Sequence, residues 1–117
     1  MKLEIKNRDV LYVHDLLYGM AISGVKSVHR TRLCKLLAKK FNELKEEAKA
    51  LEGAPVEEIA AFEAELFAIE GGNLQNTLKI IGLVLQDYEK ELEGKDAEMF
   101  ELLYSQLVEE EETHGQV

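Results

Sequence analysis

The chain has 117 residues, of which 46% are apolar and 32% charged; these are the proportions of one ordinary globular domain and exclude a disordered chain. The net charge is −9, and the single cysteine, Cys34, excludes an internal disulfide and favours a reducing compartment. No apolar run is long enough to cross a bilayer, and the N-terminus lacks the apolar segment of a signal peptide, so we expect a non-secreted protein that uses no membrane.

The first half of the chain begins with a short alternating segment and continues as helix. LEIK at residues 3–6 alternates apolar and charged side chains, which fits a short strand. Asn7 or Asp9 can cap a first helix. Ser27 is placed to cap the second and longest helix, which Gly53 ends. The apolar stripe of that second helix is Leu33, Leu37, Phe41, Leu44, Ala48 and Leu51.

Three further helices are predicted in the second half. Pro55 fits the first turn of a third helix, whose apolar stripe is Ile59, Phe62, Leu66 and Ile69. Asn73 can cap a fourth, and its apolar residues step by four and three, as in a coiled-coil heptad: Leu74, Leu78, Ile81, Leu85, Tyr88 and Leu92. Such a seam suits a bundle helix or a coiled-coil dimer equally, and Gly82 allows a close helix crossing. Asp96 can cap the fifth helix.

These segments predict an all-α fold, a single-domain helical bundle of about five helices spanning residues 1–117. One minor strand pair, between LEIK and the Phe67–Gly71 region, is an option within it. Residues 109–117 start with four glutamates near the negative end of a helix dipole. We therefore expect this acidic tail to fray.

Charge is divided unevenly along the chain. Residues 1–50 carry 11 basic and 6 acidic side chains, a net of +5, whereas residues 51–117 carry 3 and 17, a net of −14. In the second helix, Arg32, Lys35 and Lys39 share the face opposite Leu37, which predicts an exposed basic ridge. The free N–H groups at the helix start favour an anion there. The candidate partner- or anion-binding residues are Lys26, Ser27, Arg30, Arg32, Lys35 and Lys39. The alternative is a solvated face that pairs with the acidic half of the same chain.

The second half offers an acidic surface that could imitate DNA in the phosphate-binding groove of another protein. Its candidate residues are Glu89, Glu91, Glu93, Asp96, Glu98 and Glu101. Acidic helices of this kind also serve solubility alone. Nucleic acid is a less favoured partner for the basic ridge, because the net charge of −9 opposes it and no exposed aromatics alternate with the cations.

No catalytic or metal-binding pattern is present in the sequence. His14, His29 and His114 share no metal-ligand spacing with one another or with Cys34, and no HExxH, CxxC, GxSxG or P-loop motif occurs. We expect no enzyme activity, no cofactor and no metal. Cys34 lies among leucines, which favours a buried thiol over a nucleophile.

Four stretches, NRDVLYVHDLL, SGVKSVHRTRLCKLL, LFAIEGG and LEGKDAEMFELL, resemble a small family of uncharacterised proteins encoded by bacteriophages of Gram-positive bacteria. The resemblance spans most of the chain. Its matching positions are Asn7, Gly24, Ser27, Arg30, Arg32, Gly94 and Ala97. It implies a phage protein in the host cytoplasm or the virion, and it assigns neither an activity nor a catalytic residue.

Together these observations predict a non-enzymatic phage interaction protein that acts through a basic helix face and an acidic C-terminal half. Its partner is another protein or a second copy of the chain. One alternative is an anti-defence inhibitor of a host nuclease that uses the acidic helices as a DNA mimic. A nucleic-acid-binding protein is the less favoured alternative.

Overall fold

The computed structural model describes residues 1–110, and it confirms a mostly helical fold with a minor strand pair. The elements in chain order are β1 (Lys2–Lys6), a 3-10 turn (Asn7–Asp9), α1 (Val10–Tyr18), α2 (Val25–Lys49), α3 (Val56–Ala64), β2 (Leu66–Glu70), α4 (Leu74–Gln86) and α5 (Gly94–Tyr104). A π-helical stretch, Ser105–Glu109, continues α5. The predicted fraying of the acidic tail concerns residues that lie, apart from Glu109 and Glu110, outside the described range.

The two strands form one antiparallel ladder in which Glu4 lies opposite Ala68. Leu3 and Ile5 alternate with charged residues and point into the core, where neither has any exposed surface. The outer edge of β1 is closed by a side chain. The Gln106 Oε1 accepts a hydrogen bond from the Glu4 N–H at 2.7 Å, and the Gln106 Nε2 donates to the Glu4 carbonyl at 2.9 Å. The Gln106 amide therefore takes the place that a third strand would occupy.

Helix α4 and the π-helical stretch contact the ladder, and α1, α2 and α5 pack against one another and against α4. The core residues with no exposed surface come from all of these elements: Leu3, Ile5, Val10, Val13, Leu17, Leu33, Leu37, Leu78, Ile81, Met99 and Leu103. Gly82 lies where α4 crosses the π-helical stretch, and a Cβ on it would approach the Leu107 carbonyl oxygen to 2.9 Å. The close helix crossing predicted at Gly82 is confirmed.

The third and fourth helices are shorter than predicted. Leu66 and Ile69 belong to β2 and not to α3, because pairing with β1 replaces the helical hydrogen bonds after Glu65. Helix α4 ends at Gln86, and the chain turns so that the Tyr88 ring packs on Phe100 with ring centroids 5.6 Å apart.

The heptad seam of α4 is satisfied within the chain. Leu78, Ile81 and Leu85 are almost completely buried against the other helices. A bundle helix explains the spacing, and a coiled-coil dimer through this seam would have to expose a core that the monomer already fills.

Helix α2 also begins earlier than predicted. It starts at Val25 after Gly24, whose φ of 68° lies in the left-handed region that favours glycine. Ser27 therefore lies inside the first turn and is not the N-cap; its Oγ donates to the Gly24 carbonyl at 2.7 Å. The apolar stripe of α2 is buried through Leu37 and at Leu44, but its far end is not, since Ala48 is exposed.

Candidate docking surface

Three cations of the candidate site form an exposed row on α2. Arg32, Lys35 and Lys39 are all solvent-exposed, whereas Leu33 and Leu37 on the opposite side of the helix have no exposed surface. Within residues 1–110, none of the three cations makes an ion pair or a hydrogen bond. Their charges are therefore not neutralised by the acidic half, as far as the structure describes it.

Two exposed valines extend this row toward the start of α2. Val25 is 70% exposed and Val28 is 47% exposed. From Val25 to Lys39 the positions step by three, four, three and four residues, which places them along one line of the helix surface. We call these five residues the docking ridge: Val25, Val28, Arg32, Lys35 and Lys39. Its apolar end was not predicted, although the same three-and-four spacing in the sequence could have revealed it.

Arg30, which was predicted to help bind an anion, makes hydrogen bonds within the fold. Its Nη1 donates to the carbonyls of Leu17, Tyr18 and Met20 at 2.9, 3.0 and 2.9 Å. Leu17 and Tyr18 end α1 and Met20 follows it, so the guanidinium binds carbonyls at the C-terminal end of this helix and joins α1 to α2; the Leu17 carbonyl also accepts a hydrogen bond from the Met20 N–H at 3.2 Å. Arg30 points back into the fold and is not part of the docking ridge.

The remaining two candidates also turn away from the docking ridge. The Lys26 Nζ lies 3.5 Å from Asp87 Oδ2, at the end of α4, and Ser27 bonds to Gly24 as described above. The anion site predicted at the start of α2 is therefore not assembled. Lys26 and Arg30 fix the neighbouring helix ends, while the ridge cations remain outside.

Arg32 also borders a cleft at the start of α4. This cleft has a volume of about 730 Å³ and is lined by His29, Thr77 and the first turn of α4. His29 is buried, and its Nδ1 lies 3.0 Å from the Thr77 Oγ1. The pair locks α2 against α4, so the backbone that carries Arg32 is held by a buried polar contact.

The predicted acidic surface is divided into two parts. Glu89, Glu91 and Glu93 are exposed on the irregular segment between α4 and α5, whereas Asp96, Glu98 and Glu101 are exposed on α5. The Glu98 Oε1 lies 3.7 Å from the Lys95 Nζ.

The α5 part of this acidic set faces cations of the same chain. Glu98 and Glu101 line a cleft of about 680 Å³ that is also lined by the cations Lys2, Lys6 and Arg8 and by the acidic residues Glu4, Asp9 and Glu110. These acidic residues therefore lie in a mixed-charge environment and not on a continuous anionic face.

Two ionisable groups in the core serve the fold. Asp9 is buried and accepts a hydrogen bond from the Lys95 Nζ at 2.9 Å, which raises the pKa of Lys95 above its ordinary value. The Lys95 ammonium also lies over the Tyr12 ring. Burial raises the pKa of the Cys34 thiol, so this cysteine is held in its unreactive protonated form.

The described part of the chain shows no grouping of three or more metal-ligating side chains. No helix in residues 1–110 has both the length and the apolar character needed to cross a membrane. No protein-family model, curated protein or solved structure significantly matches the chain.

Proposed function

We propose that the protein is a non-enzymatic interaction protein whose docking ridge binds an acidic surface on a partner protein. The observation that carries this proposal is the row of three exposed cations, unpaired within residues 1–110 and continuous with two exposed valines. Val25 and Val28, which are 70% and 47% exposed, add apolar surface beside the cations that a partner could bury. The family resemblance adds a phage origin and the host cytoplasm as the setting of this interaction.

The two kinds of residue in the ridge have different roles in binding. Burying each valine contributes about 1.5–3 kcal/mol of apolar transfer energy before the costs of association. Each exposed ion pair contributes only about 0.2–1 kcal/mol. The valines therefore supply affinity, whereas the cations accelerate association and exclude basic partners.

Charge reversal on the ridge tests the proposal. The double variant Arg32→Glu/Lys35→Glu is compared with Lys79→Glu/Lys90→Glu, which changes the net charge equally at two exposed sites off the ridge. An acidic protein recovered from a lysate of Gram-positive cells is purified, and its affinity for each variant is measured by calorimetry. We expect the ridge variant to lose binding and the control to keep it. Equal affinity for both variants would overturn the proposal.

Nucleic acid is a weaker partner for this surface. Three phosphate contacts give modest, salt-sensitive affinity. The ridge also carries no aromatic side chain on which bases could stack. The acidic alternative, inhibition of a nuclease by DNA mimicry, is weakened because Glu98 and Glu101 face cations of the same chain.

A further inference from the structure

Helix α3 leaves one apolar part of its surface uncovered. Six of its nine residues are apolar, yet none is buried: Val56, Ile59, Ala60, Ala61, Phe62 and Ala64. Ile59 and Phe62 are half-buried and face the fold, while Val56 is 78% exposed and the alanines face outward. Helices of this length are marginal in water unless an apolar face is packed. The outward face of α3 therefore has the composition of a contact surface without a contact.

The same face carries acidic residues that lack partners. Glu57 and Glu58 lie in the first turn of α3, and Glu63 lies near its end. At helical spacing, Glu57 falls in the middle of the outward face, whereas Glu58 and Glu63 fall about 110° to either side of it, next to Phe62 and Ile59. All three are exposed, and none makes an ion pair within residues 1–110.

We infer that α3 of one copy binds the docking ridge of a second copy. This inference rests on the proposed function, because it names the partner of the same ridge. The two surfaces are complementary in charge and in apolar character: the carboxylates of Glu57 and Glu58, unpaired within residues 1–110, meet unpaired cations of the ridge, and a face of small apolar residues meets two exposed valines. Small residues on α3 allow the valines of α2 to approach its backbone closely.

Charge also sets the direction of the pairing. The ridge is apolar at Val25 and Val28 and cationic toward Lys39, whereas α3 is most acidic at its start. An antiparallel arrangement brings Glu57 and Glu58 beside Lys35 and Lys39. Helix α3 is about 13 Å long, and the ridge from Val25 to Lys39 is about 21 Å long, so the ridge can cover the whole of α3.

The assembly is head-to-tail, because the two surfaces lie on different parts of the chain. Helix α3 is anchored beside β1, where the Asn7 Nδ2 donates to the Phe62 carbonyl at 2.9 Å. The ridge occupies residues 25–39, in the first part of α2. Each copy therefore offers one free ridge and one free α3 after the first contact, and association continues into a ring or a filament.

The structure favours α3 over the acidic segments predicted from the sequence. Glu98 lies 3.7 Å from Lys95, and Glu101 lines the same cleft as Lys2 and Lys6 of β1. Glu89, Glu91 and Glu93 are exposed, but their segment is irregular and presents no helix face that could match the valines.

Sedimentation velocity on four chains tests the inference. The variants are Arg32→Glu/Lys35→Glu, which reverses the ridge, and Glu57→Lys/Glu58→Lys, which reverses α3. Wild type should form species larger than the monomer in a concentration- and salt-dependent manner. Each variant alone should associate at least about tenfold more weakly, because like charges then face each other. An equimolar mixture of the two variants should recover association, since the intact α3 of the ridge variant can bind the intact ridge of the α3 variant, and the reversed ridge matches the reversed α3. The control Glu89→Lys/Glu91→Lys should behave as wild type.

Other outcomes overturn the inference and separate it from the proposed function. A wild type that stays monomeric at every concentration, or a Glu57→Lys/Glu58→Lys variant that associates normally, removes α3 as the partner. So does loss of association in the Glu89→Lys/Glu91→Lys control alone. In those cases the binding assay with an acidic host protein still tests the proposed function. If Arg32→Glu/Lys35→Glu loses that binding, the proposed function stands and only self-assembly is ruled out. If the ridge variant is normal in both assays, both proposals fail.

Discussion

Replacing Arg30 tests the distinction between a cation that holds the fold together and a cation that faces a partner. In Arg30→Met the aliphatic stem remains, but the Leu17, Tyr18 and Met20 carbonyls lose the guanidinium that now lies 2.9–3.0 Å from each of them. Arg32→Met is the matched control, two residues away on the same helix. Arg32 is exposed and makes no contact of this kind within residues 1–110.

The size of the effect follows from the geometry. A hydrogen bond from a charged donor contributes about 1.5–3 kcal/mol. One nitrogen with two hydrogens cannot make three full bonds, and water can reach the Tyr18 carbonyl, so the total loss is about 2–3 kcal/mol. For a chain of this size that corresponds to a fall in Tm of about 8–12 °C. Arg32→Met should stay within about 0.5 kcal/mol of wild type.

Urea unfolding followed by far-UV circular dichroism measures both variants. The reasoning predicts a lower midpoint with an unchanged slope for Arg30→Met and a wild-type curve for Arg32→Met. A stable Arg30→Met variant would show that the three carbonyls do not depend on the guanidinium. An Arg32→Met variant of equally low stability would show that the ridge arginine is part of the fold.

Three further substitutions test other contacts by the same unfolding measurement. Gln106→Leu removes both hydrogen bonds to the Glu4 backbone and should cost about 1–3 kcal/mol; a neutral result would mean that water replaces the amide at the edge of β1. Gly82→Ala gains up to about 1 kcal/mol in helix propensity but brings a Cβ to 2.9 Å from the Leu107 carbonyl oxygen. We therefore expect a net loss of stability. A gain in stability would mean that the helix crossing is loosely packed. Burial raises the pKa of Cys34 above its ordinary value of 9.0, so its contribution to stability is present below that pH and is lost as the pH rises through the raised value. Cys34→Ala should therefore flatten the alkaline fall in stability, and an unchanged slope would contradict this.

The sequence predicted those parts of the fold that depend on local periodicity. The apolar stripes located the helices, and glycines marked the breaks, because both signals act within a few residues. The predicted ends of α3 and α4 were wrong for a different reason, which the end of α3 illustrates. Leu66 and Ile69 continue a helical spacing, but pairing with β1, more than 60 positions away, places them in a strand.

The candidate site was predicted only in part, because local periodicity reveals which side chains of a helix are exposed but not which distant groups they contact. The exposure of Arg32, Lys35 and Lys39 follows from helical geometry alone. The role of Arg30 does not, because it depends on where α1 ends relative to α2. The sequence also did not predict that one face of α3 is exposed. The alanines of α3 are exposed, and which side of α3 is covered depends on how the helix lies beside the rest of the fold.

Zero-length cross-linking of amines to carboxylates, carried out on an equal mixture of unlabelled and ¹⁵N-labelled chains, tests the docking surface most directly. Mass spectrometry distinguishes a link between copies from a link within one copy. The account predicts mixed-isotope peptides that join Lys35 or Lys39 to Glu57 or Glu58. Links from these lysines only to carboxylates of residues 89–101, or only within single chains, would contradict it.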